Sequence, residues 1–583
     1  MRNVNFAAIY HMPWLEYRHA LTDGRVCLRI RTARGDFDRV SARHTCGYFG
    51  DDPFKKAQTE IMHLQYHDEM FDYYECVFEP MDARVKYLFI LVSGEITVKL
   101  DAAGVHMGAD YPETPDDAFV FAYAYPADKM PEWARGCVGY QIFPDRFRRS
   151  EDAKSDNTIE PWTSKHYENE YRFGGNLQGI REAVPYLKKL GVDVIYTNPL
   201  FVSDSSHRYN TFDYYTIDPL LGTEKDLKEL CDTLHESGMR LVLDGVFNHS
   251  GTGFEPFIDA KKNGAKSKFY DWFFFDDSEI GYKTFGFAKY MPKLNLKNEA
   301  CAEYFLDVGR YWLEKCGIDG WRLDVSPEVY PEFWRRYHSM MKKANPDSLM
   351  IAECWDDSRE WLTIGDMFDS TMNYVLSRAI WSRFAEQSIS CELFDARVNQ
   401  SMMLYPLRTQ DVLWNFLGSH DTPRFRTRAG GSEKLLRAAA YFQMACTGVP
   451  IIYYGDELGM EGKGDPDCRR PMRWGDTDDN ATLAFYQRLT EMRKESDALR
   501  YGSFKSWEAK ENGLYAFLRV SEKQSALVII NTTGKKQAGT FALPPELHGK
   551  KALKDAFSAK ALKASGSVIE IKLNAGEGVT ILY

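Results

Sequence analysis

The chain has 583 residues, 73 Lys and Arg against 84 Asp and Glu, and a formal net charge of −11. That length suits roughly three or four domains, and a hydrophobic content of 44% excludes a disordered chain. The acidic balance, without a long basic run, argues against nucleic acid or an anionic membrane as the main partner.

The first residues, "MRNVNFAAIYHMPWLEYRH", hold neither the apolar core nor the small-residue cleavage pattern of a signal peptide. Nowhere do about 18 apolar residues run together, so no membrane span is expected. Residues 1–125 alternate as short strands, "VCLRIRTA", "YYECVFEP", "VKYLFILVSG" and "EITVKLD", with turns at Asp23-Gly24 and Ser93-Gly94. This pattern predicts an N-terminal β-sandwich. The proline-containing stretches "DYPETPDD" and "YPADKMPEW" read as a linker. From Gly139 the texture changes to apolar strands alternating with helical runs, among them "VDVIYTNP", "EKDLKELCDTLHESG", "MRLVLDGVFNH", "EYFLDVGRYWLEKCG" and "SLMIAECW". Strands buried on both faces and separated by helices imply a parallel sheet. Recurrence of the unit across residues 126–498 predicts an α/β (β/α)8 TIM barrel. The segment of about 248–296, between "DGVFNH" and "MPKLN", is too long for a simple connection and reads as a small inserted subdomain after strand 3. Strands return in residues 499–583 ("GLYAFLRV", "SALVIINTT", "GVTILY") and predict a C-terminal β-sandwich.

Eleven cysteines, an odd number with no CxxC pair, fit buried free thiols in a reducing compartment better than a disulfide or zinc framework. A cytoplasmic location is the expectation. Aromatics make up 14% of the chain, which suits a sugar-handling surface and a packed core equally.

The chemistry is concentrated at predicted strand ends. In "GWRLDV", Trp321, Leu323 and Val325 alternate with Arg322 and Asp324, so the polar pair shares one strand face. Three more apolar strands end in acids: Asp244 with His249 in "LVLDGVFNH", Glu353 in "MIAECW", and Asp421 with His420 in "FLGSHDTPRF". Barrels of this kind build their active sites at that end. Paired carboxylates there suit glycosidic bond cleavage, which needs an ionised nucleophile and a protonated acid. Arg322 is expected to depress the pKa of Asp324, and a less polar setting around Glu353 to raise that of the acid.

These stretches closely resemble the ordered motifs of the α-amylase family of retaining glycoside hydrolases, over about residues 138–475. Within it the chain is similar to the neopullulanase, cyclomaltodextrinase and maltogenic amylase group, through "YQIFPDRF", "MPKLN" and an N-terminal domain like a starch-binding module. The resemblance implies that Asp324 is the nucleophile, Glu353 the general acid and base, and Asp421 the stabiliser of the transition state. Asp244, His249, Arg322 and His420 match supporting residues around the cleaved ring. His207, Tyr209, Asp465 and Arg469 match residues that contact the same sugar. Asn248 matches a calcium ligand of classical α-amylases, a metal that the group often lacks. The stretch "RRSEDAKSDN" departs from the group's alternative calcium loop. No cofactor is therefore required, and calcium stays open.

One departure follows the nucleophile, where the group's Val-Ala-Asn-Glu is replaced by Val325-Ser326-Pro327-Glu328. Glu328 is kept, but Pro327 brings neither an amide side chain nor a backbone N–H, so leaving-group preference is expected to differ. The resemblance implies hydrolysis of α-1,4 links in cyclodextrins, maltooligosaccharides and pullulan, some glycosyl transfer, and a homodimer formed through the N-terminal domain. Two alternatives are an α-1,6-glucosidase or glucosyl-transferring isomerase, whose members tend to lack "MPKLN", and a non-catalytic glucan-binding protein. The latter would be expected to have lost one of the three carboxylates.

Overall fold

The structure, a computed structural model, describes residues 4–47, 53–114, 116–122, 130–152, 158–550 and 552–583. The end of the expected linker and the junction at 125/126 lie outside the described residues, as does 153–157 of "RRSEDAKSDN".

Nine antiparallel strands between Arg18 and Ala122 fold around one apolar core. Val26, Leu28 and Ile30 supply it from one side, and Val40, Tyr87, Phe89 and Leu91 from the other. The strands Arg39–Cys46 and Gln58–His67 pair with each other, which joins the two sides into a continuous sandwich. A fully buried Arg29 ties this unit to the next. It donates to Glu75 at 2.6 Å and to the carbonyl of Tyr405 at 3.2 Å.

Eight short parallel strands form the centre of the molecule: β1 (Gly139–Ile142), β2 (Val194–Thr197), β3 (Arg240–Gly245), β4 (Gly320–Leu323), β5 (Leu349–Ala352), β6 (Ser370–Thr371), β7 (Trp414–Phe416) and β8 (Val449–Tyr453). Their order in the sheet is 6-5-4-3-2-1-8-7, and a parallel bridge from Met372 to Trp414 closes β6 onto β7. The circle is complete, as the alternation of strands and helices predicted. Apolar side chains of most strands meet the outer helices and the barrel interior, the two-residue Ser370–Thr371 strand being polar.

The outer helices follow from local chemistry. In Glu224–Glu236, Thr223 and Asp226 form a capping box, and Leu227, Leu230, Cys231 and Leu234 make one buried stripe. Glu299–Cys316 starts at the Asn298 cap and ends where Gly317 takes a left-handed φ of 74°. Trp312, buried on that helix, contributes about 1.5–3 kcal/mol by area burial.

The inserted segment leaves and rejoins the barrel at one point, because His249 and Lys293 pair as an antiparallel bridge. Between them lie the helix Glu255–Asn263 and two more isolated bridges, with a third from Phe273 to Leu294, held by an aromatic cluster that includes Phe257, Phe273 and Tyr282. After the barrel, two four-stranded antiparallel sheets enclose a separate core with Leu527, Ile529, Ile569 and Ile571. All eleven cysteines are buried and free. No helix among the described residues is long and apolar enough to cross a membrane.

Candidate active site

Strands β3, β4 and β5 are neighbours, so the residues at their C-terminal ends converge. Arg322 on β4 pairs in register with Asp244 on β3 and is wholly buried. Its Nη1 donates to Asp244 Oδ1 at 2.9 Å and to Asp324 Oδ1 at 2.8 Å. Its Nη2 makes an ion pair with Glu353 Oε1 at 2.8 Å, off the line of a hydrogen bond. One guanidinium thus holds three carboxylates, with Asp324 on Nη1 and Glu353 on Nη2.

This arrangement changes one sequence expectation. Asp324 was expected to be depressed by Arg322. Instead, burial and the neighbouring Glu353 raise it well above the usual carboxylate range, against the arginine's pull. Burial is the larger cause, and the one positive charge of Arg322, divided among three acids, does not offset it. Asp244 is likewise raised by burial, to about 6, despite Arg322 and two tyrosine hydroxyls.

Those hydroxyls belong to Tyr196 and Tyr209, which donate to Asp244 Oδ2 at 2.5 and 2.7 Å. Tyr209 also meets His420 Nε2 at 2.6 Å and accepts from Asn198 at 2.8 Å. The amide of Gln141 contacts His420 Nδ1 at 2.8 Å. If that amide donates, the ring proton sits on Nε2, facing Tyr209 and Asp421. Burial and the cations Arg469 and Arg322 hold His420 far below its usual pKa, so it is neutral. The Tyr209 and His420 rings lie nearly parallel with centroids 5.4 Å apart, which shapes one wall of the site. Gln141, Tyr196 and Asn198 were not singled out in the sequence. Their signal is a polar group inside or just after an apolar strand, the same signal that revealed Arg322.

Glu353 is held on three sides. Besides Arg322, it accepts from the backbone N–H of Val325 at 3.0 Å and from Trp355 Nε1 at 3.0 Å. Val325 donates from a left-handed conformation (φ 47°, ψ 43°), an uncommon one for a β-branched residue. Ser326 locks this turn: its hydroxyl donates to Leu323 O at 2.7 Å and accepts from the N–H of Glu353 at 3.2 Å. Ser326 is therefore a buried structural residue, whereas Pro327 and Glu328 are exposed.

On the far side, Asp421 is in contact with His420 Nε2 at 3.1 Å and accepts from Arg469 at 3.3 Å. Arg469 also pairs with Asp465 at 2.8 Å. His207 is buried beside them, kept neutral by desolvation and by Arg469, and accepts from the N–H of Tyr209 at 3.0 Å. His249 stacks on Phe285, with centroids 4.9 Å apart, and belongs to the mouth of the inserted segment. Glu328 lies at the rim, where its carboxylate meets Lys293 at 3.1 Å. The structure thus gathers the predicted carboxylates, Arg322, Tyr209, His420, Asp465 and Arg469 into one connected site.

Asn248 does not offer its side chain to a metal. Its amide oxygen accepts from the ammonium of Lys293, which also donates to Glu328 O at 2.8 Å. A lysine cation occupies the place where calcium would need an oxygen ligand, so these residues do not fit the ion.

Comparison with known proteins adds the family. The model described as "Alpha amylase, catalytic domain" matches residues 141–502, and that described as "Alpha amylase, N-terminal ig-like domain" matches 4–127. The chain belongs to the α-amylase family. Among relatives of this α-amylase-family enzyme, Neopullulanase 2 of Thermoactinomyces vulgaris is 37% identical, over 98% of this chain and 99% of its own. The Intracellular maltogenic amylase of Bacillus subtilis (strain 168) is 35% identical, over 91% of each. A solved structure named Cyclomaltodextrinase superposes with a TM-score of 0.92 at 35% identity, covering 99% of this chain and 100% of the other. The enzyme is a glycoside hydrolase of this family.

Proposed function

We propose that this hydrolase cleaves α-1,4-glucosidic links in cyclodextrins and maltooligosaccharides with retention of configuration, takes pullulan as a further substrate, and carries out some glycosyl transfer. The observation that carries the reading is the Arg322 guanidinium gripping Asp244, Asp324 and Glu353 at the strand ends. A nucleophile and an acid held on one guanidinium suit the retaining mechanism, which proceeds through a covalent intermediate. The names of the relatives point to the same substrates.

In this reading the Asp324 carboxylate attacks the anomeric carbon as its bond to the leaving oxygen breaks. Glu353 gives its proton to that oxygen. Positive charge developing on the sugar favours the ionised form of Asp324, which offsets the upward shift of the empty site. Water then attacks the same carbon, Glu353 takes back a proton, and Asp324 is released. A sugar hydroxyl in place of water gives transfer. Asp421, His420, Asp465, Arg469 and His207 hold the hydroxyls of the cleaved ring, while Tyr209 packs on its face. Trp355, 42% exposed beside Glu353, offers a stacking surface on the leaving-group side.

The test is chromatography of products from maltotriose, β-cyclodextrin, pullulan and soluble starch, each supplied alone. Rapid turnover of β-cyclodextrin with maltose and glucose as products is expected. Panose from pullulan identifies α-1,4 cleavage there. Brisk starch digestion with little cyclodextrin turnover would overturn the assignment. We also propose a cytoplasmic enzyme, from its free thiols, and one active without calcium, from the lysine seated on Asn248; unchanged rates after EDTA treatment check the latter. A homodimer through the N-terminal domain is supported by apolar Ile61 and Leu64 exposed on one strand. Sedimentation at micromolar concentration that shows only monomer would reject it.

A further inference from the structure

A cavity of about 930 Å³ lies behind the loop that carries Asp465 and Arg469, and neither Asp324, Glu353 nor Asp421 lines it. Its walls present Arg148, Arg149, Lys165, Arg426, Arg470 and Arg473 but a single acid, Glu461. Four of the cations have carboxylate partners: Arg148 with Glu182, Arg426 with Glu461, Arg470 with Asp467, and Arg473 with Asp476. Two do not among the described residues, where Arg149 donates to the carbonyls of Glu160 and Phe173, at 3.2 and 2.7 Å. Lys165 is exposed and makes no ion pair among the described residues.

Two indoles complete the lining. Trp162 and Trp474 tie their N–H edges to the carbonyls of Met472 and Phe147, at 2.7 and 2.6 Å. Trp474 is packed by Phe147 and Tyr186 and carries Arg148 over its ring, whereas among the described rings Trp162 meets only Phe173, so Trp162 is the less covered indole. Arg and Lys side chains carry hydrogen-bond donors and no acceptors. A neutral glucan has hydroxyls that must donate as well as accept, and for them this wall offers Glu461 and the hydroxyls of Thr163, Ser164 and Tyr167 against six cations. An acceptor-rich anion is the better match, and Arg forks suit phosphate oxygens in particular.

We propose that this cavity binds a small phosphate ester, its phosphate among Arg149, Lys165 and Arg473 and its ring against Trp162. A sugar phosphate and a nucleoside monophosphate share that chemistry. The catalytic site, lined with carboxylates, repels such an anion, so the two sites separate cleanly by ligand charge.

Isothermal titration of the intact enzyme with glucose 1-phosphate, AMP, inorganic phosphate and maltose tests this, alongside Lys165→Glu and Arg473→Gln. Both altered residues are exposed and outside the catalytic machinery, and unchanged turnover of maltotriose shows that the variants are folded. One of the two esters is expected to bind with a Kd below about 1 mM at low salt. Binding should weaken at least about tenfold in Lys165→Glu and fall further as salt shortens the screening length. Whichever ester binds identifies the source. No binding of either ester at about 10 mM, equal affinity in the parent and both variants, inorganic phosphate binding as tightly as the esters, or maltose binding more tightly than both would each overturn the proposal.

Discussion

At the scale of single residues, Glu353 is the group whose contacts separate two steps. Val325 N–H donates to one oxygen of its side chain, and Trp355 Nε1 and Arg322 hold the other, so an amide keeps an acceptor for one side only. Glu353→Gln is expected to keep the fold, to give up the contact facing its NH2, and to lose the proton that the leaving oxygen needs. On maltotriose, kcat should fall by about 10²–10⁴-fold, the usual worth of a positioned acid. With a nitrophenyl glycoside, whose leaving group needs no proton, the first step should be spared, and a burst of nitrophenol should precede slow turnover. Equal loss on both substrates would show that Glu353 acts through position and not through its proton. Asp324→Asn provides the contrast, because without a nucleophile both substrates should be equally dead.

At the scale of elements, the turn after β4 and the returning end of the insertion are coupled through one side chain. Lys293 donates to Asn248, to the carbonyl of Glu328 and to its carboxylate, so a single ammonium ties the end of β3 to the 3-10 turn Ser326–Glu328. Lys293→Met keeps the stem and removes all three bonds. Charge-assisted hydrogen bonds contribute about 1.5–3 kcal/mol each net of water when buried and less where exposed, as the Glu328 carboxylate is, so a loss of about 1–3 kcal/mol of stability is expected. With the turn loosened, the wall on the leaving-group side should fit a second sugar less well, raising KM for maltotriose and changing the ratio of transfer to hydrolysis while kcat is largely kept. An unchanged transfer ratio would place that wall elsewhere. This is also where the sequence was least legible. The barrel could be read because buried strands are nearly all apolar, and the acids because each breaks such a run, as Arg322 and Asp324 do. Lys293 and Ser326 gave no such signal: each is a common residue in a loop, and its role exists only because distant segments meet. The expectation that Ser326-Pro327 as a pair alters specificity divides accordingly, since Ser326 points inward to lock the turn and only Pro327 and Glu328 face outward. The direction expected for the Asp324 pKa failed for a related reason, because the sequence showed its nearest cation but neither its burial nor the neighbouring acids, Glu353 above all.

At the scale of the whole molecule, buried titrating groups pull stability in two directions. His11 and His249 are held at about 3 by burial, and His207 and His420 also lie far below their usual value. The unfolded chain binds protons on these rings more readily, so they cost stability as pH falls below about 6.5. The buried acids act oppositely. Burial raises Asp456 to about 6 and Glu457 to about 7, so the folded state holds their protons longer than the unfolded chain does. Their contribution is complete below about 4 and is lost as pH rises through 6 to 7. Glu457 isolates the effect, because it lies outside the catalytic site, in the turn Asp456–Leu458 after β8. There it accepts from Tyr140 on β1 and from Tyr186 on the helix Val184–Leu190, both at 2.7 Å, and its second oxygen has no partner. Glu457→Gln keeps an oxygen for the two phenols and abolishes the titration. Whatever fixed cost the amide brings, stability relative to the parent should climb between pH 5 and pH 7 by up to about 3 kcal/mol and level off above. Urea denaturation across that range measures it, and parallel profiles for the two proteins would mean that Glu457 ionises in the folded state as easily as it does in the unfolded chain.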